Sequence, residues 1–234
     1  MAREELINLL KERAFTKPVF IRVNDAMETI GREDIDAISP YQDQIEAIIL
    51  PKTQSFDFLA TLAPMIDFSN KLVPLIETPR AIDTVTQIAA FKDVVGLFFG
   101  AADSSASLGC KLAWEPLLYA RQKVVLAAAM YNLFTIDAPF FYIDDKEGLK
   151  NEAEAVKNLG FTGKAAIHPD QIDFINKSFA PTSEEIAEGK KVLEEYQKSG
   201  GGAVKIDGQM VDEPIAEAMR LKISLGEEES ENKD

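Results

Sequence analysis

Two acidic residues each stand where an apolar run stops: Glu77 directly after LVPLI at 72–76, and Asp103 a few residues after VVGLFF at 94–99. They lie 26 residues apart (103 less 77), about the length of one βα repeat. An unpaired carboxylate is too costly to bury, so each needs a cation, a donor or water. At the ends of adjacent strands the two would be hard oxygen ligands. Mg2+ commonly takes one or two protein carboxylates and completes its octahedron with water and substrate oxygens. A hydroxy acid displacing two of those waters would have its hydroxyl pKa lowered by the ion, which favours carbon–carbon cleavage. Each residue also has a structural reading. Glu77 precedes Thr78 and Pro79, where it would complement a helix N-terminus, and Asp103 in DSSAS has the composition of a helix N-cap.

Other apolar runs end in polar chemistry too: Arg22 and Asn24, Pro51 and Lys52, Asp144 and Asp145, and His168. Lys52 suits either a substrate phosphate or a neighbouring carboxylate and stays outside the catalytic set. Arg22 suits either substrate or a structural ion pair. His168 is the only histidine, which excludes a triad or a multi-histidine metal site, and its HP context reads as a loop pin. Cys110 beside Gly109 reads as a buried, inert thiol. Gly96, Gly100 and Gly109 lack the spacing of a dinucleotide fingerprint.

These residues need elements to position them. Short β-branched or aromatic runs recur at 18–23 (PVFIRV), 47–50 (AIIL), 72–76, 94–99, 139–143 (PFFYI) and 164–167 (KAAI). They are too short for helices and too apolar for strands with one wet face, so they read as buried parallel strands. Helix-patterned segments at 57–65, 81–91, 115–131 and 145–159 lie between them. The strand starts are about one βα repeat apart, with one long step from 94 to 139, as in a TIM-type (β/α)8 barrel. A doubly wound sheet is the alternative, and in both folds active sites lie at the C-terminal ends of the strands. Further on, Thr182 and Glu185 have capping-box spacing, the run at 199–202 (SGGG) stops that helix, and Asp207-Gly208 marks a turn before a last helix. Residues 1–180 thus read as the barrel, 181–225 as a C-terminal helical extension, and 226–234 as a disordered acidic tail.

A chain of 234 residues with 46% hydrophobic composition can bury a sizeable core. Its net charge of −14 and pI near 4.6 argue against nucleic acid or an anionic membrane as partner. No apolar run reaches the roughly 18 residues of a membrane span, and the start, MAREELINLLKERAF, is amphipathic rather than signal-like. The single cysteine rules out an intrachain disulfide and fits a reducing compartment, so a cytoplasmic location is expected.

Seven blocks in order, VFIRVND, AIILPKTQS, LVPLIETPRAI, GLFFGAADSSASLG, NLGFTGKAAIHPDQI, FAPTSEEI and DGQMVDEPIAEA, resemble signature blocks of the citrate lyase beta subunit family. That family belongs to the HpcH/HpaI aldolase group, with the malyl-CoA and citramalyl-CoA lyases. The resemblance runs from about Ala2 to Ala218. It implies a TIM-type barrel and Mg2+-dependent cleavage or formation of a carbon–carbon bond in a 3-hydroxyacyl thioester of CoA or acyl-carrier protein. It further implies Glu77 and Asp103 as metal ligands, with Glu77 also at the substrate, Arg22 as a substrate-binding residue, and Asp212 as a catalytic acid/base lent by a neighbouring subunit. A homo-oligomer, trimer or hexamer, or an assembly with other lyase subunits would match. Relatives begin with two further strands ahead of the equivalent of Ala2, so about six of eight barrel strands are expected here, with two edges of unpaired backbone. The rival expectations are a CoA-independent aldolase of hydroxy-oxo acids and a non-catalytic paralogue or assembly subunit that keeps metal and acid binding.

Overall fold

The computed structural model describes residues 2–66, 71–200 and 202–231. The chain divides into two compact units, Met1–Gln171 and Ile172–Asp234.

The first unit opens with an amphipathic helix, α1 (Ala2–Lys11), and then alternates strand and helix. In order come β1 (Phe20–Arg22), α2 (Thr29–Ile38), β2 (Ala47–Leu50), α3 (Phe56–Leu62), β3 (Leu72–Ile76), α4 (Pro79–Asp83) and α5 (Val85–Ala89). Then follow β4 (Gly96–Phe99), α6 (Ala101–Leu108), α7 (Trp114–Met130), β5 (Phe134–Asp137), α8 (Lys146–Leu159) and β6 (Gly163–Lys164). The six strands lie side by side in chain order and every pair is parallel. Parallel neighbours need a crossover, and the intervening helices supply it.

Register shows that this sheet is curled. Phe20 pairs with Ala47, Ile49 with Val73, Leu75 with Phe98, and Gly96 with Phe134, so these residues share one face. Four strand spacings separate β1 from β5, roughly 19 Å if the sheet were flat. Yet the rings of Phe20 and Phe134 meet edge to face, 5.8 Å between centroids. This face is therefore concave, and Ala47, Ile49, Val73 and Leu75 pack inside it with Val95, Phe98 and Phe134. Gly96 is needed there, because a Cβ would lie 2.3 Å from the Phe134 ring. Ile48, Leu50, Leu72, Ile76, Leu97 and Phe99 alternate with them, point outward and are buried. Each fully buried aliphatic side chain contributes about 1.5–3 kcal/mol.

The fifth strand differs from the sequence expectation. It is FTID at 134–137, whereas PFFYI at 139–143 forms a loop. FTID carries polar residues outward, and these are satisfied by neighbours. Thr135 and Thr162 exchange backbone and hydroxyl bonds of 2.8–3.1 Å. The outward Asp137 accepts from Arg121 Nε and from Lys164 Nζ, each at 2.8 Å. The long step between strand starts is filled by two helices, α6 and α7. Likewise the segment 81–91 is two helices, broken at Thr84, whose hydroxyl donates to the carbonyls of Arg80 and Gln54.

The second unit contains α9 (Ile172–Phe179), α10 (Ser183–Lys198), a hairpin of β7 (Val204–Ile206) and β8 (Gln209–Val211), and α11 (Glu213–Glu231). Its elements are three helices and one two-stranded hairpin among the described residues. The capping box forms in both halves, Thr182 with Glu185. The hairpin turns at Asp207 and Gly208, both with positive φ, as a two-residue primed turn demands. Tyr196, Ile206, Val211 and Ala216 form its small core. Helix α11 runs to Glu231, and glutamate is a good helix former. Residues 232–234 of the expected tail lie outside the described residues. Among the described residues no helix is long and apolar enough to cross a membrane.

Candidate active site on the strand rim

Glu77 stands one residue beyond β3, and the alternation through Val73 and Leu75 carries it to the concave face. It is 3% exposed. Its Oε1 accepts the backbone N–H of Lys52 at 2.8 Å. Gly100, one step past β4 and opposite Glu77, makes the space: a Cβ there would lie 2.7 Å from Glu77 Cβ and 3.1 Å from Oε2. Glu77 is not itself the cap of the next helix: Thr78 is the N-cap of α4 and accepts from the Ala81 N–H at 3.1 Å.

Asp103 lies in the first turn of α6, whose N-cap position is Gly100, so Asp103 is not the cap. Its carboxylate is favoured by the positive end of the helix. Lys52 joins the two acids. Its Nζ donates to Asp103 Oδ1 at 3.1 Å and lies 3.6 Å from Glu77 Oε1. Burial pushes the Glu77 carboxyl above its ordinary value and the Asp103 charge adds to that, although the Lys52 amide and ammonium oppose it. The bond to Asp103 in turn holds the Lys52 ammonium above the ordinary lysine value.

The pair fits a hard divalent ion. Both carboxylates already approach a single cation, Glu77 is fixed by an amide and by the Gly100 cradle, and Asp103 is half-exposed. Among the described residues no group of three or more His, Cys, Asp or Glu gathers as a metal site. Two carboxylates with open positions suit Mg2+, which keeps waters and substrate oxygens.

Arg22 ends β1 on the concave face and is exposed. It lines an open cavity of about 500 Å³ with Asn24, Arg3 and Asp34, and its guanidinium has no ion-pair partner among the described residues. Asp212 lies in the second unit and accepts the Ile215 N–H at 3.4 Å at the start of α11. Asp145 caps α8 through the Gly148 N–H. His168 Nδ1 accepts from the Asp170 N–H at 3.2 Å, in keeping with a loop role. The buried Gln171 does most of the pinning there: it accepts from the Ile167 N–H and donates to the Phe140 carbonyl. Cys110 is half-buried rather than buried.

Two features escaped the sequence reading. One is that Lys52, for which a neighbouring carboxylate is one of two expected partners, meets both acids at once. The other is a buried network behind the rim. Lys164 Nζ donates to Asp137, to Glu152 at 2.7 Å and to the Ala138 carbonyl at 2.6 Å. Arg121, which also reaches Asp137, lies between the rings of Phe99 and Trp114.

A curled parallel β/α sheet with a carboxylate pair on its C-terminal rim is the frame of a barrel-type enzyme site. The sequence profile of the HpcH/HpaI aldolase/citrate lyase family matches residues 1–169, and the chain belongs to that family. It is 28% identical to the citrate lyase subunit beta of Haemophilus influenzae, over 94% of this chain and 83% of that protein. It is 29% identical to the mitochondrial citramalyl-CoA lyase of Homo sapiens, over 88% and 67%. Among solved structures, RipC from Yersinia pestis is 40% identical with a TM-score of 0.70, covering 79% of this chain and 83% of that one. CitE from Mycobacterium tuberculosis, in complex with magnesium, acetoacetate and coenzyme A, is 29% identical with a TM-score of 0.77, covering 89% and 78%.

Proposed function

We propose that this chain is a Mg2+-dependent lyase that cleaves, or in reverse forms, the carbon–carbon bond of a short 3-hydroxyacyl thioester of CoA or acyl-carrier protein, of the citryl, citramalyl or malyl type. The observation that carries this reading is the Glu77/Asp103 pair, drawn about one cation on the concave rim. The family and the magnesium, acetoacetate and coenzyme A bound to the M. tuberculosis protein support it.

Glu77 and Asp103 would hold the ion, which when bound supplies Lewis acidity at the hydroxyl and carboxylate oxygens of the substrate. Glu77 also borders the substrate and, being buried, keeps bulk water from that side. Arg22, exposed and free of carboxylate partners among the described residues, anchors the substrate carboxylate through its forked N–H groups. As the hydroxyl gives its proton to the Asp212 carboxylate, the O–H electron pair forms the carbonyl of the 2-oxo acid product, and the cleaved bond leaves its electrons on the thioester fragment as an enolate. Asp212, lent by a neighbouring copy in a trimer or hexamer, returns a proton to that enolate carbon. Partnership with other lyase subunits is compatible with the citrate lyase relatives. One free cysteine suits a reducing cytoplasm.

The test is product analysis by mass spectrometry after incubating the folded protein with malyl-, citramalyl- and citryl-CoA, with Mg2+ or with EDTA, beside Glu77→Ala. Mg2+-dependent release of acetyl-CoA with a 2-oxo acid, lost in the variant, is expected. No product from any of the three would refute the proposal.

A further inference from the structure

The backbone of Lys52 is left-handed, φ +58°, a conformation disfavoured for any residue with a Cβ. That geometry aims two groups of one residue at one carboxylate: the backbone N–H at 2.8 Å and the ammonium at 3.6 Å from Glu77 Oε1. The ammonium also contacts Asp103 Oδ1 at 3.1 Å. A divalent ion held by both acids would compete with Lys52 for these two carboxylates, and its charge would repel the ammonium. One ammonium cannot keep both contacts beside it.

We propose that Lys52 is an exchangeable counter-ion of the Glu77/Asp103 pair: its ammonium holds the two carboxylates together and moves aside, still charged, when a divalent metal takes them. This rests on the reading of the pair as a metal site. The Lys52 side chain is 46% exposed, which leaves it room to swing. Charge gives the displaced group a second role. The pair and Lys52 sum to −1 (−2 + 1), and with a divalent ion they sum to +1 (−2 + 1 + 2). The rim then favours an anionic oxygen ligand over a neutral one, so Lys52 contributes to selection of acids while weakening the metal itself.

Opposite effects on two ligands distinguish this role from a structural one. The full chain, Lys52→Gly, which suits the positive φ, Lys52→Met and Lys52→Arg are stripped with EDTA, checked for fold by circular dichroism, and titrated with Mg2+ by calorimetry. Pyruvate, as a simple 2-oxo acid, is then titrated at saturating Mg2+. Removing an exposed ion pair of ordinary strength should tighten Mg2+ on the order of threefold in the glycine and methionine variants alike, and weaken pyruvate by a similar factor. Lys52→Arg should stay near the parent on both. Unchanged or weaker Mg2+ binding in the two neutral variants, unchanged pyruvate binding, or an arginine variant that behaves like them would overturn the proposal. A parent protein that takes up no Mg2+ would instead remove the metal reading, and this inference with it.

Discussion

Gly100→Ala tests whether the missing side chain at the end of β4 holds Glu77 in place. The added Cβ would sit 2.7 Å from Glu77 Cβ, where 3.4 Å is an ordinary contact, so about 0.7 Å (3.4 less 2.7) must be absorbed. The atom met is the root of the Glu77 side chain, which cannot swing away as a flexible tip would. The Gly100 backbone, φ −101°, accepts alanine, so the effect is purely one of space. Overpacking of this kind costs about 1–3 kcal/mol. At about 2–4 °C per kcal/mol for a chain of this size, the melting midpoint in EDTA should fall by about 2–12 °C. The same shift stretches the 2.8 Å bond from the Lys52 amide. Loss of a supporting interaction typically weakens metal binding about 10- to 100-fold. Circular dichroism melts and Mg2+ calorimetry measure the two effects. Gly163→Ala is the control, since its Cβ would find its nearest neighbour at 3.9 Å. A Gly100→Ala protein that melts with the parent and binds Mg2+ equally well would refute the account of how Glu77 is positioned.

Asp137→Ala should destabilise the first unit by about 3–5 kcal/mol, because it leaves the buried Arg121 without its carboxylate and takes from Lys164 one of its two, Glu152 being the other. The Arg121 and Lys164 side chains are 3% and 0% exposed and both lie 2.8 Å from Asp137. Urea unfolding checks this, and a loss under about 1 kcal/mol would contradict it. Asp34 predicts an acid dependence. Burial pushes its carboxyl up, but the Asn24 backbone and side-chain N–H groups and the Arg3 guanidinium outweigh this and hold it below its ordinary value of 3.8. Its stabilising contribution is therefore complete above 3.8 and is lost as pH falls through the lowered folded value. The stability gap between the parent and Asp34→Ala, measured in urea at neutral pH and in steps down to acid pH, should narrow; a gap independent of pH would count against the Asn24 and Arg3 contacts.

Much of the fold could be read in the chain because local pattern and global position agreed there. AIIL and LVPLI are buried on both faces, as strands of a covered parallel sheet must be, and both occur where expected. The capping box at Thr182 and the Asp207-Gly208 turn are local devices that need no tertiary context. PFFYI misled because an apolar segment need not be a strand: Phe140 packs edge to face on Tyr142 within a loop. FTID carries no strand signal of its own, because its acid is neutralised only by Arg121 and Lys164, which lie 16 residues before it and 27 after it.

The residue types at the rim, Glu77 and Asp103 at the ends of successive strands, follow from the chain alone, because strand period and helix length set where each polar group emerges. That Lys52 stands between them and that Gly100 makes room for Glu77 emerges only in the folded arrangement. Lys52 lies 25 residues before Glu77 and 51 before Asp103, and no local pattern specifies which strand end will face which. That depends on parallel register and on the curl of the sheet, which packing on the concave face imposes.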